Sequence, residues 1–143
     1  MARNRQGGES RVELRVDDGL RRVFVTISGP VTGPQVAGPV SALFRGRPEL
    51  TAYDMLYDIR EYWGDVSADD IEPIVDAYAA AEPDPARPTR TAFVTVDPHF
   101  HYWAEAMDEQ FLARTHHTFP RIDAALDFLA DPGATARERR HAR

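Results

Sequence analysis

Residues 52–64, Ala-Tyr-Asp-Met-Leu-Tyr-Asp-Ile-Arg-Glu-Tyr-Trp-Gly, decide how this chain folds. Apolar and aromatic side chains fill most of the stretch, and Asp58, Arg60 and Glu61 arrive shortly before Gly64. This pattern predicts a buried central strand that ends in a polar tip. Open α/β sheets usually bind their ligands at the carboxyl edge of the strands. We therefore expect any functional site to lie at this tip.

Length and composition place the chain among ordinary globular domains. It has 143 residues, of which 43% are apolar and 28% are charged, which fits one domain. No apolar run approaches the roughly 18 residues that a membrane span requires. The polar first ten residues lack the apolar segment of a secretion signal, so a cytoplasmic location is the default expectation. With no cysteine and no lysine, disulfides, thiolate metal sites and Schiff-base chemistry are excluded.

The charge is unevenly distributed along the chain. The net charge is −6, yet residues 131–143 hold four arginines against Asp131 and Glu138. The body of the protein is therefore more acidic than the total, which argues against nucleic acid as a partner. We expect residues 1–9 to form a disordered lead-in, residues 10–130 to form one domain, and residues 131–143 to form a basic flexible tail.

The periodicity of apolar residues predicts the element order. Alternation predicts two strands, at 10–17 and 20–28, which Asp17-Asp18-Gly19 joins into a hairpin. Two more strands are predicted after the central one, at 91–96 and 115–119, and helical spacing predicts helices at 32–46, from Ser67, at 97–113 and at 120–130. The order β-β-α-β-α-β-α-β-α predicts an α/β fold, a five-stranded mixed sheet with about four helices packed on it.

Three helix starts carry more detailed expectations. Pro39 removes an internal hydrogen bond, so the first helix should be kinked there or become firm only from Pro39 onward. Ser67 should be the N-cap of the second helix, with Asp70 completing a capping box. Asp97, followed by proline, should be the N-cap of the third helix.

The four histidines between residues 99 and 117 are spaced in a way that argues against a metal site. His99 and His101 should lie past the carboxyl end of one strand, whereas His116 and His117 open the next parallel strand at its other end. A five-residue strand spans about 16 Å, but metal ligands lie about 2 Å from the ion. We expect surface or helix-start histidines and no metal site.

Catalytic patterns are weak. Asp54 and Asp58 are four residues apart on one strand, about 13 Å, which is too far for a coupled acid-base pair. Asp58 with Arg60 could form a surface ion pair or bind a small anion. The sequence contains no nucleophile-elbow pattern and no glycine-rich phosphate loop. We expect no catalytic residue, no cofactor and no enzyme activity.

Three stretches together resemble a known family. Leu56-Tyr57-Asp58-Ile59-Arg60 is similar to the central strand of the SpoIIAA-like branch of STAS-fold proteins. Phe93-Val94-Thr95-Val96 stands where that branch has its next strand, before the helix that contains Trp103. Phe119 and then Ala125-Leu126-Asp127-Phe128-Leu129 resemble its closing strand and helix, with Phe128 in place of the usual tryptophan. The likeness covers roughly residues 10–130.

The resemblance implies a non-enzymatic regulator that binds partner proteins, typically anti-sigma kinases, and switches when a serine after the central strand is phosphorylated. That switch reads Asp-x-Ser, whereas this chain has Asp58-Ile59-Arg60, and the nearest hydroxyl is Ser67. Some members of the branch are thought to offer an apolar cavity between sheet and helices.

Two hypotheses follow. In the first, the chain binds a protein partner through the loop after the central strand, with a homodimer as one option, and Tyr62 and Trp63 are the contact anchors. In the second, it carries a small apolar or acidic molecule, lipid-like in character, near Phe44, Tyr57, Trp63 and Trp103. The candidate binding residues are Asp58, Arg60, Tyr62, Trp63, Ser67 and Trp103.

Overall fold

The computed structural model describes residues 9–131, and these form one five-stranded sheet with four helices. Of the predicted lead-in at 1–9 and tail at 131–143, only residues 9 and 131 fall within the described part. The strands are β1 (Arg11–Asp17), β2 (Arg22–Gly29), β3 (Asp54–Tyr62), β4 (Thr89–Val94) and β5 (Arg114–Phe119). The helices are α1 (Gly33–Gly46), α2 (Glu72–Ala80), α3 (Phe100–Asp108) and α4 (Ile122–Ala130). Short 3₁₀ turns at Pro48–Ala52 and Asp69–Ile71 precede β3 and α2.

The strands lie side by side in chain order, β1-β2-β3-β4-β5. β1 and β2 pair antiparallel as the predicted hairpin, and all later pairs are parallel. β3 is the central strand, which confirms the prediction from residues 52–64. Right-handed crossovers between successive neighbours place α1, α2 and α3 on the same face of the sheet.

The two faces have separate cores. On the three-helix face, Val25, Tyr57 and Phe93 stand in register on neighbouring strands and pack under the helices. On the opposite face, Leu56, Ala92 and Val94 pack against α4 alone. This division follows from the alternation of side chains along a strand.

The observed helices differ, wholly or in part, from the three expectations about helix starts. α1 begins at Gly33, with Thr32 and Gln35 forming a capping box, so the alternative of a helix that becomes firm only from Pro39 is wrong. Pro39 lies on the exposed side of α1, where water can hydrate the carbonyl group that loses its partner. α3 begins at Phe100, not at Asp97, and ends at Asp108. The Asp97 carboxylate instead accepts the N–H of His99 and so closes a turn before the helix.

The predicted capping box at Ser67 is present in only one of its two halves. The Asp70 carboxylate accepts the backbone N–H of Ser67 at 2.8 Å. The Ser67 side chain provides no cap, because the 3₁₀ turn at Asp69–Ile71 separates it from the first residue of α2. Among residues 9–131, no helix is both long enough and apolar enough to cross a membrane.

Candidate functional site

A cavity of about 330 Å³ lies between the three-helix face of the sheet and helices α1, α2 and α3. Its walls are mostly apolar and aromatic, and Phe44, Tyr57, Phe93, Trp103 and Phe111 are among them. The exposed lining residues are Asp65, Asp97 and His99, which follow the carboxyl ends of β3 and β4. The cavity therefore opens at the carboxyl edge of the sheet. Its size and its mainly apolar lining are typical of a small-molecule site.

Tyr57 extends from the central strand into this cavity. Its ring packs on Phe93 at a centroid distance of 5.0 Å. Burial raises the pKa of the Tyr57 phenol to about 12, and the positive charge of Arg114 opposes that rise. Among the described residues, the Tyr57 hydroxyl has no hydrogen-bond partner. A hydroxyl group without a partner among residues 9–131 thus faces a cavity whose walls are mostly apolar.

Arg114 lies at the inner end of the cavity and is only 3% exposed. Its guanidinium group donates hydrogen bonds to the carbonyl oxygens of Thr51 and Tyr53, at 3.2 and 2.7 Å. It also donates to Thr91 Oγ1 at 3.1 Å. Within residues 9–131, Arg114 forms no ion pair with a carboxylate. Buried arginine is normally paired with an anion, so this cation is unusual.

His116 forms part of the same wall. Asp108 Oδ1 accepts both the backbone N–H of His116, at 2.7 Å, and the ring Nδ1, at 3.0 Å. Burial is the main reason that the pKa of His116 falls below its ordinary value, and the Asp108 hydrogen bond opposes this effect. The imidazole is therefore held in one orientation and favours its neutral form.

The loop from β3 to α2 forms one side of the opening. The hydroxyl oxygen of Tyr62 accepts the N–H of Val66 at 2.9 Å, and both residues line the cavity. Gly64 packs so tightly that an added Cβ would overlap the backbone of Val31. Trp63 does not line the cavity and is 44% exposed. Trp63 therefore lies outside the cavity wall, whereas Phe44, Tyr57 and Trp103 line the cavity.

Asp58 and Arg60 lie on the other face of the sheet. Side chains alternate along β3, so Asp58 points away from the cavity that Tyr57 enters. Arg60 donates two hydrogen bonds to the Asp58 carboxylate, Nε to Oδ1 at 2.9 Å and Nη2 to Oδ2 at 2.8 Å. The guanidinium group holds the pKa of the Asp58 carboxyl below its usual value. The charges of Asp58 and Arg60 are therefore paired with each other, and neither side chain lines the cavity.

The six candidate residues are thus divided among three places. Tyr62 and Trp103 line the cavity, Trp63 and Ser67 are exposed on the loop, and Asp58 with Arg60 lies on the opposite face.

The histidines are also separated. His99 and His116 both border the cavity, His101 Nδ1 donates a hydrogen bond to the carbonyl oxygen of Pro98, and His117 packs on Phe128 on the α4 face. Among residues 9–131, no three His, Asp or Glu side chains are arranged to hold a metal ion.

Sequence reasoning missed Arg114 and His116 as cavity residues. Both stand at the start of β5, where their charge or polarity suggests a surface position. Arg114 shares a face with His116 because the two are separated by one residue, a signal that the strand pattern contained. The acceptors of Arg114 on Thr51 and Tyr53 could not be read from the sequence.

Comparison with known proteins identifies a structural neighbour. No protein-family model matches the chain, and no curated protein sequence matches it. Among solved structures, the chain is similar to the crystal structure of an anti-sigma factor antagonist from Mycobacterium paratuberculosis. The TM-score is 0.50 at 13% sequence identity, and the match covers 86% of this chain and 96% of the other. At this identity the likeness concerns the fold. The chain therefore has the α/β fold of an anti-sigma factor antagonist, which confirms the STAS fold predicted from the resemblance.

Proposed function

We propose that this chain is a non-enzymatic, cytoplasmic regulatory domain that binds a protein partner at the carboxyl edge of its sheet. The binding surface is the loop between β3 and α2, with Trp63 as its anchor. The observation that carries this proposal is the 44% exposure of the Trp63 side chain. Trp63 lies on a loop that the hydrogen bond between Tyr62 and Val66 holds in place. Large aromatic side chains on pre-ordered surfaces are the usual centres of protein interfaces.

A second apolar side chain supports the same surface. Val96 is 72% exposed and follows β4, the strand next to β3. The two parallel strands end at one edge, so Val96 and Trp63 belong to the same end of the molecule. The structural neighbour is described as an anti-sigma factor antagonist, and a partner of that kind, an anti-sigma factor, is the first candidate. A second copy of the chain is the alternative partner.

The switch serine of the resembled family has no counterpart in this geometry. Arg60 stands at its position in the motif and pairs with Asp58. Ser67 is exposed on the loop, so a kinase could reach it, but its side chain contributes no helix cap. We propose that recognition at this loop does not depend on the Asp-x-Ser switch.

The test compares two exposed apolar residues at opposite edges of the sheet. Trp63→Ala should weaken association with a co-purified partner by about 10-fold or more, the loss expected for an interface anchor. Leu20→Ala is the matched control, because Leu20 is 55% exposed in the β1–β2 turn at the amino edge. Association is measured with purified components, and the oligomeric state by light scattering. Equal binding by both variants, or no specific partner, would refute the proposal.

The cavity supports a second candidate function, the carriage of a small apolar ligand. Its walls come from the sheet and from three helices, and it holds about 330 Å³. Native mass spectrometry of freshly purified protein should then show a bound cellular compound. Protein that is free of ligand, and that takes up no apolar probe, would exclude this function.

A further inference from the structure

We infer that the cavity binds a hydrophobic monocarboxylate whose acid group lies at the inner end, between the Tyr57 hydroxyl, the Thr91 hydroxyl and the guanidinium group of Arg114. This inference rests on the ligand-carrying function proposed above and names the chemical class of its ligand.

The charge of Arg114 is uncompensated among residues 9–131. Within that part of the chain, the groups that accept its hydrogen bonds are three backbone carbonyls and the Thr91 hydroxyl, all of them neutral. The Nε atom of Arg114 is buried and has no hydrogen-bond partner among the described residues. A buried cation without a nearby anion attracts one strongly, because the interior screens charge far less than water does. A carboxylate in the cavity would supply the missing anion.

Two hydroxyl groups, those of Tyr57 and Thr91, line the cavity together with this cation. Thr91 Oγ1 already accepts a hydrogen bond from Arg114, which leaves the Thr91 O–H free to donate. The Tyr57 O–H has no partner among residues 9–131, and Tyr57 and Thr91 stand on adjacent strands with side chains on the same face. Two hydroxyl donors that are backed by a cation suit a carboxylate better than a neutral group.

The charges at the two ends of the cavity favour one orientation of the ligand. Asp65 and Asp97 lie at the opening of the cavity, and their carboxylates disfavour an anion there. The aromatic wall between the opening and the inner end includes Phe93, Phe100 and Trp103. The apolar part of the ligand therefore lies along this wall, with its acid group innermost. A single cation matches one negative charge and argues against a multiply charged ligand.

The test uses two probes that differ only in the head group. Decanoic acid and decanol are titrated into the full-length protein, and binding is followed by calorimetry. The acid should bind about 10-fold or more tightly than the alcohol, as expected for hydrogen bonds to a charged group. Tyr57→Phe should weaken acid binding by about 10-fold and alter decanol binding by less than about twofold.

Arg114→Met should remove the preference for the acid over the alcohol. Because Arg114 also joins β5 to β4 and to the turn before β3, this variant could fail to fold, and Thr91→Val then tests the same site with little change in volume. Leu20→Ala, in the exposed β1–β2 turn at the opposite edge of the sheet, should leave binding of both probes unchanged.

The outcomes separate the two levels of the proposal. Equal affinity for acid and alcohol, or full acid binding by both Tyr57→Phe and Thr91→Val, would overturn the assignment of the head group but leave a cavity that binds apolar ligands. Binding of neither probe would overturn the ligand-carrying function together with this inference.

Discussion

The hydroxyl oxygen of Tyr62 accepts the backbone N–H of Val66 at 2.9 Å, so a side chain at the end of β3 closes the loop that follows it. The loop lies at the opening of the cavity and carries Trp63 on its outer side. The two proposed functions therefore share one structural element.

Tyr62→Phe should loosen this loop without unfolding the protein. The substitution removes one hydrogen bond, worth about 1 kcal/mol, and keeps the ring that packs beside Gly64. The amide proton of Val66 should then exchange with solvent faster, while amides of β3 and β4 stay protected. Hydrogen exchange measured by NMR provides the check. Unchanged exchange at Val66 would show that the Tyr62 hydroxyl does not order the loop.

Gly64→Ala should destabilise the protein, because the new Cβ would overlap the backbone of Val31. We expect a loss of about 1–3 kcal/mol in the free energy of unfolding, as for other overpacked sites. Gly38→Ala is the matched control. Gly38 lies in α1 with nothing near the position of an added Cβ, so this variant should be stabilised by about 0.5–1 kcal/mol. Chemical denaturation measures both, and two changes of the same sign would contradict this account.

Arg90 holds the carboxyl end of α4 against the sheet. Its guanidinium group donates to the carbonyl oxygens of Phe128, Leu129 and Asp131 at 2.6–2.9 Å. Arg90→Gln should lower the free energy of unfolding by about 2 kcal/mol, because the carbonyl groups at the end of α4 lose a charged hydrogen-bond donor.

The control for Arg90 is another arginine beside α4. Arg121→Gln breaks an exposed pair with Asp123, which should leave the free energy of unfolding nearly unchanged because water screens the pair. Thermal and denaturant unfolding compare the two variants. Similar effects would mean that Arg90 does not anchor the helix.

His116 should make stability depend on pH. Burial lowers the pKa of His116 below the ordinary value of 6.5, so below pH 6.5 the unfolded chain binds a proton that the folded chain does not. The free energy of unfolding should therefore be steady above pH 6.5 and decrease as the pH falls below it. Carboxylates with lowered pKa, such as Asp58, act only at more acidic pH, near their own titration range.

His116→Gln should remove this dependence below pH 6.5. His101→Gln is the control, since His101 is exposed. Denaturant unfolding at a series of pH values measures the slope. An equal slope in His116→Gln and in the unchanged protein would show that another group is responsible.

The order of elements and the fold could be read from local sequence patterns. A period of two residues marks β1 and β2, a helical period marks α1 and α4, and short connections with right-handed crossovers leave few arrangements. These signals are local, so one chain suffices to read them. The predicted ends of the elements were less accurate, as at Asp97 and Ser67, because side-chain hydrogen bonds across a turn decide where a helix begins.

The composition of the site depends on long-range packing. Asp58 and Tyr57 are neighbours in the chain, but pleating sends one to the α4 face and the other into the cavity. Arg114 is buried because carbonyl groups of Thr51 and Tyr53, 63 and 61 residues earlier, accept its hydrogen bonds. Such long-range partners leave no local pattern, since their proximity is a product of the folded sheet. The sequence could therefore predict a polar tip on β3, whereas packing placed the cation and the hydroxyl groups together inside the protein.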